Sequence, residues 1–154
     1  MKQLVLAAFL ILTTAGNASA GIGVSYDQLM RNFARQFTME KGVLKDGSLR
    51  YLGRGPDRIS YLELVGPKND LSRATFLFSM PKDSPTANEN NIAQSARFVK
   101  ITAPEWPGGR AWVSGTFQEF MAGSEKQSIT KGRKLITMEY IRSLRWVSIS
   151  VEKI

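Results

Sequence analysis

The sequence predicts an α+β domain: one antiparallel sheet of about five strands, with helices packed on one of its faces. Three observations predict it. Apolar residues recur at helical spacing early in the chain, at Tyr26, Leu29, Met30, Phe33 and Phe37. Apolar and polar residues alternate through Ile59–Val65 and again through Trp146–Ile154, the signature of strands with one wet face. Turn-forming clusters separate the short segments of strand character. The expected order is one helix, three strands, two helices and two strands.

The first helix is expected over Tyr26–Phe37, with Ser25 as its cap and Gln28 three residues on, the spacing of a capping box. Its apolar stripe serves the core or lines a ligand groove, while Asp27, Arg31, Asn32 and Arg35 occupy the other faces. The next segment, Gly42–Leu52, has strand character but is interrupted by Asp46-Gly47, which marks either a hairpin tip or a bulge. Gly53-Arg54-Gly55-Pro56-Asp57 reads as a loop. Ile59–Val65 places Ser60, Leu62 and Leu64 on one side and Tyr61, Glu63 and Val65 on the other. A turn at Gly66-Pro67 and a strand over Ala74–Met80, with Phe76 and Phe78 in phase, complete a meander.

A second helix is expected over Ala87–Thr102, with Ile92, Ala96 and Val99 facing inward and Ala93 beside them. The run Pro104-Glu105-Trp106-Pro107-Gly108-Gly109 breaks the chain. A third helix over Arg110–Met121 carries Trp112, Val113, Phe117 and Phe120, and Gly123 can stop it. Two strands close the domain: Arg133–Ile141, with Ile136, Met138 and Tyr140 in phase, and Trp146–Ile154, with Val147, Ile149 and Val151 in phase. Strands from both ends of the chain should meet in the sheet, because a lone hairpin is marginal in water.

Residues 1–20 have the three parts of a cleavable secretory signal: a basic start at Lys2, an unbroken apolar run from Leu4 to Leu12, and Ala18-Ser19-Ala20 before the cut. The apolar run is shorter than the roughly 20 residues that span a bilayer. Residues 21–154 then form a single domain, located in the periplasm or the medium.

Composition narrows the chemistry. The chain has no Cys and no His, which excludes thiol catalysis, His-zinc sites and the Ser-His-Asp triad within one chain. No cofactor and no metal is indicated. The net charge of +8, reduced by one when Lys2 leaves with the signal, favours acidic partners. Those partners are a protein or an anionic envelope component, either a lipid headgroup or a glycan. An exported protein rarely meets nucleic acid, which is therefore set aside.

The clearest charge feature lies near the C-terminus. Arg133, Lys134, Arg142 and Arg145 flank the final hairpin, and Trp146 stands beside them, so one aromatic–basic patch is expected at a sheet end. Edge protection of exposed strands is the competing explanation for the same charges. The expected function is a non-enzymatic binding module of the envelope. Alternatives are an accessory subunit of an envelope complex, or a small hydrolase using carboxylates. For the hydrolase the acid is Glu105, whose pKa the neighbouring Trp106 and Trp112 are expected to raise. Two Ser-x-x-Lys matches, Ser79 with Lys82 and Ser128 with Lys131, lack every supporting motif. Gly53-Arg54-Gly55 and Gly108-Gly109-Arg110 each set an Arg beside flexible backbone, where an anion can bind.

Overall fold

Asp46-Gly47 closes a hairpin. Gly47 adopts φ 84°, a conformation that suits glycine, and Asp46 Oδ1 accepts from the Ser48 N–H at 2.9 Å. The segment expected as one interrupted strand is therefore two, β1 (Thr38–Val43) and β2 (Leu49–Arg54). The computed structural model describes residues 21–82 and 85–154, so the expected signal over residues 1–20 lies outside the described residues.

After β2 come β3 (Ser60–Val65), β4 (Arg73–Ser79), α2 (Pro85–Thr102), α3 (Gly109–Met121), β5 (Lys126–Lys131), β6 (Lys134–Ile141) and β7 (Trp146–Lys153), with α1 (Tyr26–Asn32) preceding β1. The class is α+β with one antiparallel sheet, but the sheet has seven strands rather than about five, in the order β1-β2-β3-β4-β7-β6-β5. The order of elements is correspondingly one helix, four strands, two helices and three strands. The two unexpected strands are both edges. In β5 only Ile129 is apolar, and β1 offers only Met39 and Val43, so neither shows the periodicity that reveals a strand.

The strands from the two ends of the chain meet at β4 and β7, which pair from Arg73↔Glu152 to Ser79↔Trp146. Register then aligns the apolar residues on one face. Leu62, Phe76, Ile149 and Met138 form one row across four strands, and Leu64, Ala74, Val151 and Ile136 form the next. All of these are buried, in one cluster with Phe98 and Val99 of α2 and Val113, Phe117 and Phe120 of α3. The other face carries Tyr61, Glu63, Thr75, Ser148 and Ser150, all partly exposed.

The helices differ from expectation in two places. α1 stops at Asn32 rather than Phe37. Phe33 leaves helical geometry at φ −129°, and the Ala34 and Phe37 N–H groups bond back to Leu29 and Ala34. The resulting turn directs both Phe33 and Phe37 inward. On α2 the buried positions are Ser95, Phe98, Val99 and Thr102, whereas Ile92 and Ala96 are half-buried and Ala93 is exposed. Ser95 and Thr102 tolerate burial because their hydroxyls donate to the carbonyls of Asn91 and Phe98 at 2.6 and 2.8 Å. Among the described residues no helix is long and apolar enough to cross a membrane.

Ile149 lies at the centre of the shared core, and Thr130 lies on the exposed side of an edge strand. Ile149→Ala should lower the unfolding free energy in urea by about 2–5 kcal/mol. Thr130→Ala should change it by no more than about 0.5 kcal/mol. Equal, small losses at both positions would contradict a core common to the two halves of the sheet.

Candidate anion-binding cleft

The expected C-terminal basic patch is divided between two ends of the sheet. Arg133 and Lys134 stand at one end of β6, and Arg142, Arg145 and Trp146 at the other. β6 spans about 23 Å from Lys134 to Ile141 and holds the two groups apart. Most of these charges are used internally. Arg142 donates to the carbonyls of Phe120, in the last turn of α3, and of Ser124 beyond it, at 3.3 and 3.2 Å, and pairs with Glu125 at 3.4 Å. Arg145, at φ 56°, donates from Nε to the Met80 carbonyl at 3.0 Å and accepts from the Met80 N–H at 2.8 Å. Trp146 faces the uncovered side of the sheet, with its ring 5.7 Å from that of Tyr61.

Lys134 is also committed. Its ammonium donates to the Thr102 carbonyl at 2.8 Å and lies 2.9 and 3.2 Å from the two carboxylate oxygens of Glu105. This contact reverses the expectation for Glu105. Burial does push its pKa up, but the hydrogen bond and charge of Lys134 outweigh it, and the carboxyl is held below its ordinary range. Trp106 instead packs against Trp112, ring centroids 5.7 Å apart, beneath the Lys131 ammonium at 5.3 Å. Arg133, Lys134, Lys153 and Glu105 line a shallow cleft of about 330 Å³.

The remaining sequence candidates resolve simply. Ser128 and Lys131 are three residues apart on β5 and so point to opposite faces, with the Ser128 hydroxyl bonded to that of Thr137 at 3.1 Å. Ser79 ends β4 and Lys82 lies beyond it, exposed. Arg54 belongs to β2, and its guanidinium donates twice to the Arg58 carbonyl, at 3.1 and 3.0 Å. Gly109 opens α3 where a Cβ would approach Val99 Cγ1 to 2.8 Å, so it serves helix packing.

A larger cleft, about 500 Å³, opens elsewhere, where α1, α2 and the β2–β3 turn converge. Ser25 caps α1 by accepting from the Gln28 N–H at 3.1 Å, as its sequence spacing implies. The short helix then turns at Phe33. Arg31 in its last turn and Arg35 in the following turn stay exposed at the rim, while the Phe33 ring packs 4.9 Å from Phe76 and 5.4 Å from Phe98. α2 contributes Asn91, Gln94 and Arg97 at intervals of three residues along one side. Arg97 donates from Nη2 to the Asn32 main-chain carbonyl, which fixes α2 against the end of α1. Phe33, Phe37 and Phe76 supply an apolar floor.

The electrostatics of this cleft are one-sided. Arg31, Arg35 and Arg97 face a single acid, Asp57. Asp57 Oδ1 is occupied by its own turn, accepting from the N–H groups of Ile59 and Ser60 at 3.0 and 2.9 Å and from the Ser60 hydroxyl at 2.7 Å. Among the described residues Arg31 and Arg35 have no ion pair and no hydrogen-bond partner. Guanidinium groups are planar forks suited to phosphate and carboxylate oxygens, and an apolar floor strengthens their attraction. The arrangement therefore fits an anion. In the sequence Arg31, Asn32 and Arg35 fall off the apolar stripe of the first helix, and no motif there marks them as a site. The available signal was two arginines at i and i+4 with no acid among the residues between or just beyond them. Nothing in the sequence links them to Arg97.

Because Glu105 is ionised more readily in the folded state, its contribution to stability is present above the ordinary carboxylate pKa and is lost as pH falls through its lowered value. Glu105 is half exposed, so Glu105→Gln should destabilise by only roughly 0.5–1 kcal/mol at pH 7. Urea denaturation at pH 7 and pH 3 should show that gap closing on acidification; a gap that widens would contradict the ion pair.

Comparison of the chain with family models, with curated proteins and with solved structures gives no match.

Proposed function

We propose that this protein is an exported, non-enzymatic binding module that holds an anionic component of the cell envelope in the cleft between α1 and α2. The observation that carries the proposal is that Arg31, Arg35 and Arg97 line one cleft with Phe33, Phe37 and Phe76, and that the one carboxylate in its lining, Asp57, is already engaged. Arg31 and Arg35 have no internal partner among the described residues and Arg97 has only the Asn32 carbonyl, so the local surplus of positive charge is left for an anion to neutralise. The smaller cleft at Arg133 is the weaker candidate, since Lys134 there is neutralised by Glu105. The aromatic floor gives a bound anion partial exclusion from water, which a flat basic surface lacks. The basic composition of the chain draws such ligands in, and that attraction is screened by salt. The signal-like residues 1–20 support the assignment to the envelope.

The test is an amide NMR titration with inorganic phosphate at low and high salt. Shifts should cluster at 31–37 and 91–97 and weaken as salt rises. Arg31→Gln and Arg35→Gln, whose side chains have no ion pair and no hydrogen-bond partner among the described residues, should each lower affinity by about tenfold while leaving the protein folded. Shifts confined to Arg133 and Lys153, or affinity unaffected by both substitutions, would overturn the proposal.

A further inference from the structure

The three arginines account for only part of the cleft. Its volume of about 500 Å³ is in the range of small-molecule sites and is several times what a phosphate or carboxylate group fills. The rest of the ligand must match the rest of the lining. Asn32, Gln36 and Gln94 bring three exposed amide side chains to it, and among the described residues none of the three has a side-chain hydrogen-bond partner. A carboxamide presents one acceptor and two donors together. Phosphate and carboxylate oxygens need donors only, whereas hydroxyl groups both donate and accept, so a row of hydroxyls uses the amides completely. An acyl chain would cover the same amides with nothing to bond them, at a desolvation cost. The half-buried rings of Phe33 and Phe37 offer flat apolar surface that suits the C–H face of a sugar ring.

Building on the anion-binding proposal, we infer that the ligand is an acidic sugar: a polyhydroxylated ring bearing a phosphate or carboxylate. The anionic group sits among Arg31, Arg35 and Arg97, the ring covers Phe33 and Phe37, and the hydroxyls reach Asn32, Gln36 and Gln94. A sugar phosphate and a uronate share this chemistry.

Titration of the exported protein with five probes tests the inference: inorganic phosphate, glucose, glucose 6-phosphate, glucuronate and octyl phosphate. At least one of glucose 6-phosphate and glucuronate should bind about tenfold tighter than inorganic phosphate, with glucose alone weaker than either. A gain for the first identifies a phosphorylated sugar, and a gain for the second a uronate. The double substitution Gln36→Leu and Gln94→Leu lies on the exposed rim and should bring the acidic sugar down to the affinity of inorganic phosphate. Octyl phosphate binding tighter than both acidic sugars, or all anions binding alike, would overturn the sugar assignment and leave the anion site standing. No binding by any anion would remove both.

Discussion

The ladder between β4 and β7 is the constraint on which the rest of the molecule depends. The first four strands form a meander by local hairpins, and the last three form another. Only the β4–β7 pairing makes them one sheet, and it presents Ala74, Phe76 and Phe78 opposite Val151, Ile149 and Val147 on the covered face. That continuous apolar surface is what α2 and α3 bury. Phe76 has a second part in the structure: it lies at the centre of the sheet and also floors the cleft, so the position of the site is set by the core beneath it.

The charges divide into two groups by how they are employed. Lys134, Arg142 and Arg145 satisfy backbone carbonyls near helix ends and at the exit of β4, where an unpaired carbonyl would be costly. On the uncovered face Glu63 bridges Arg50 and Arg73 at 2.7 and 3.2 Å. These cations are part of the framework. Arg31 and Arg35 have no such employment among the described residues, and Arg97 uses one N–H to hold α1 against α2 while the others remain at the cleft. The distinction lies in the partners, and a charge count along the chain does not show it.

Much of the sheet was legible because its central strands alternate strictly. Val147, Ile149 and Val151 are buried while Ser148, Ser150 and Glu152 are partly exposed, as their spacing implies. The edge strands were not legible. Lys126–Lys131 has one apolar residue and Thr38–Val43 has two, and each strand pairs with a single neighbour. Met39 lies across Gly53, where a Cβ would come within 2.0 Å of its sulfur, so that glycine is a packing site rather than the loop residue it resembles. The basic residues do not form one patch, because Arg133 and Lys134 lie near Arg142 and Arg145 in sequence while the length of β6 holds the two groups apart. The cleft was half legible: Phe33, Phe37, Arg31 and Arg35 lie in one stretch of chain, but Arg97 and Asp57 arrive through tertiary structure.

Where an anion binds decides whether the α1–α2 cleft is a site. Selenate has the geometry of phosphate-like oxyanions and a strong anomalous signal, so a crystal soaked in it locates bound anions without ambiguity. The strongest anomalous peak is expected within hydrogen-bonding reach of Arg31, Arg35 and Arg97, above the rings of Phe33 and Phe37. A strongest peak at Arg133 and Lys153, with none in the α1–α2 cleft, would contradict it.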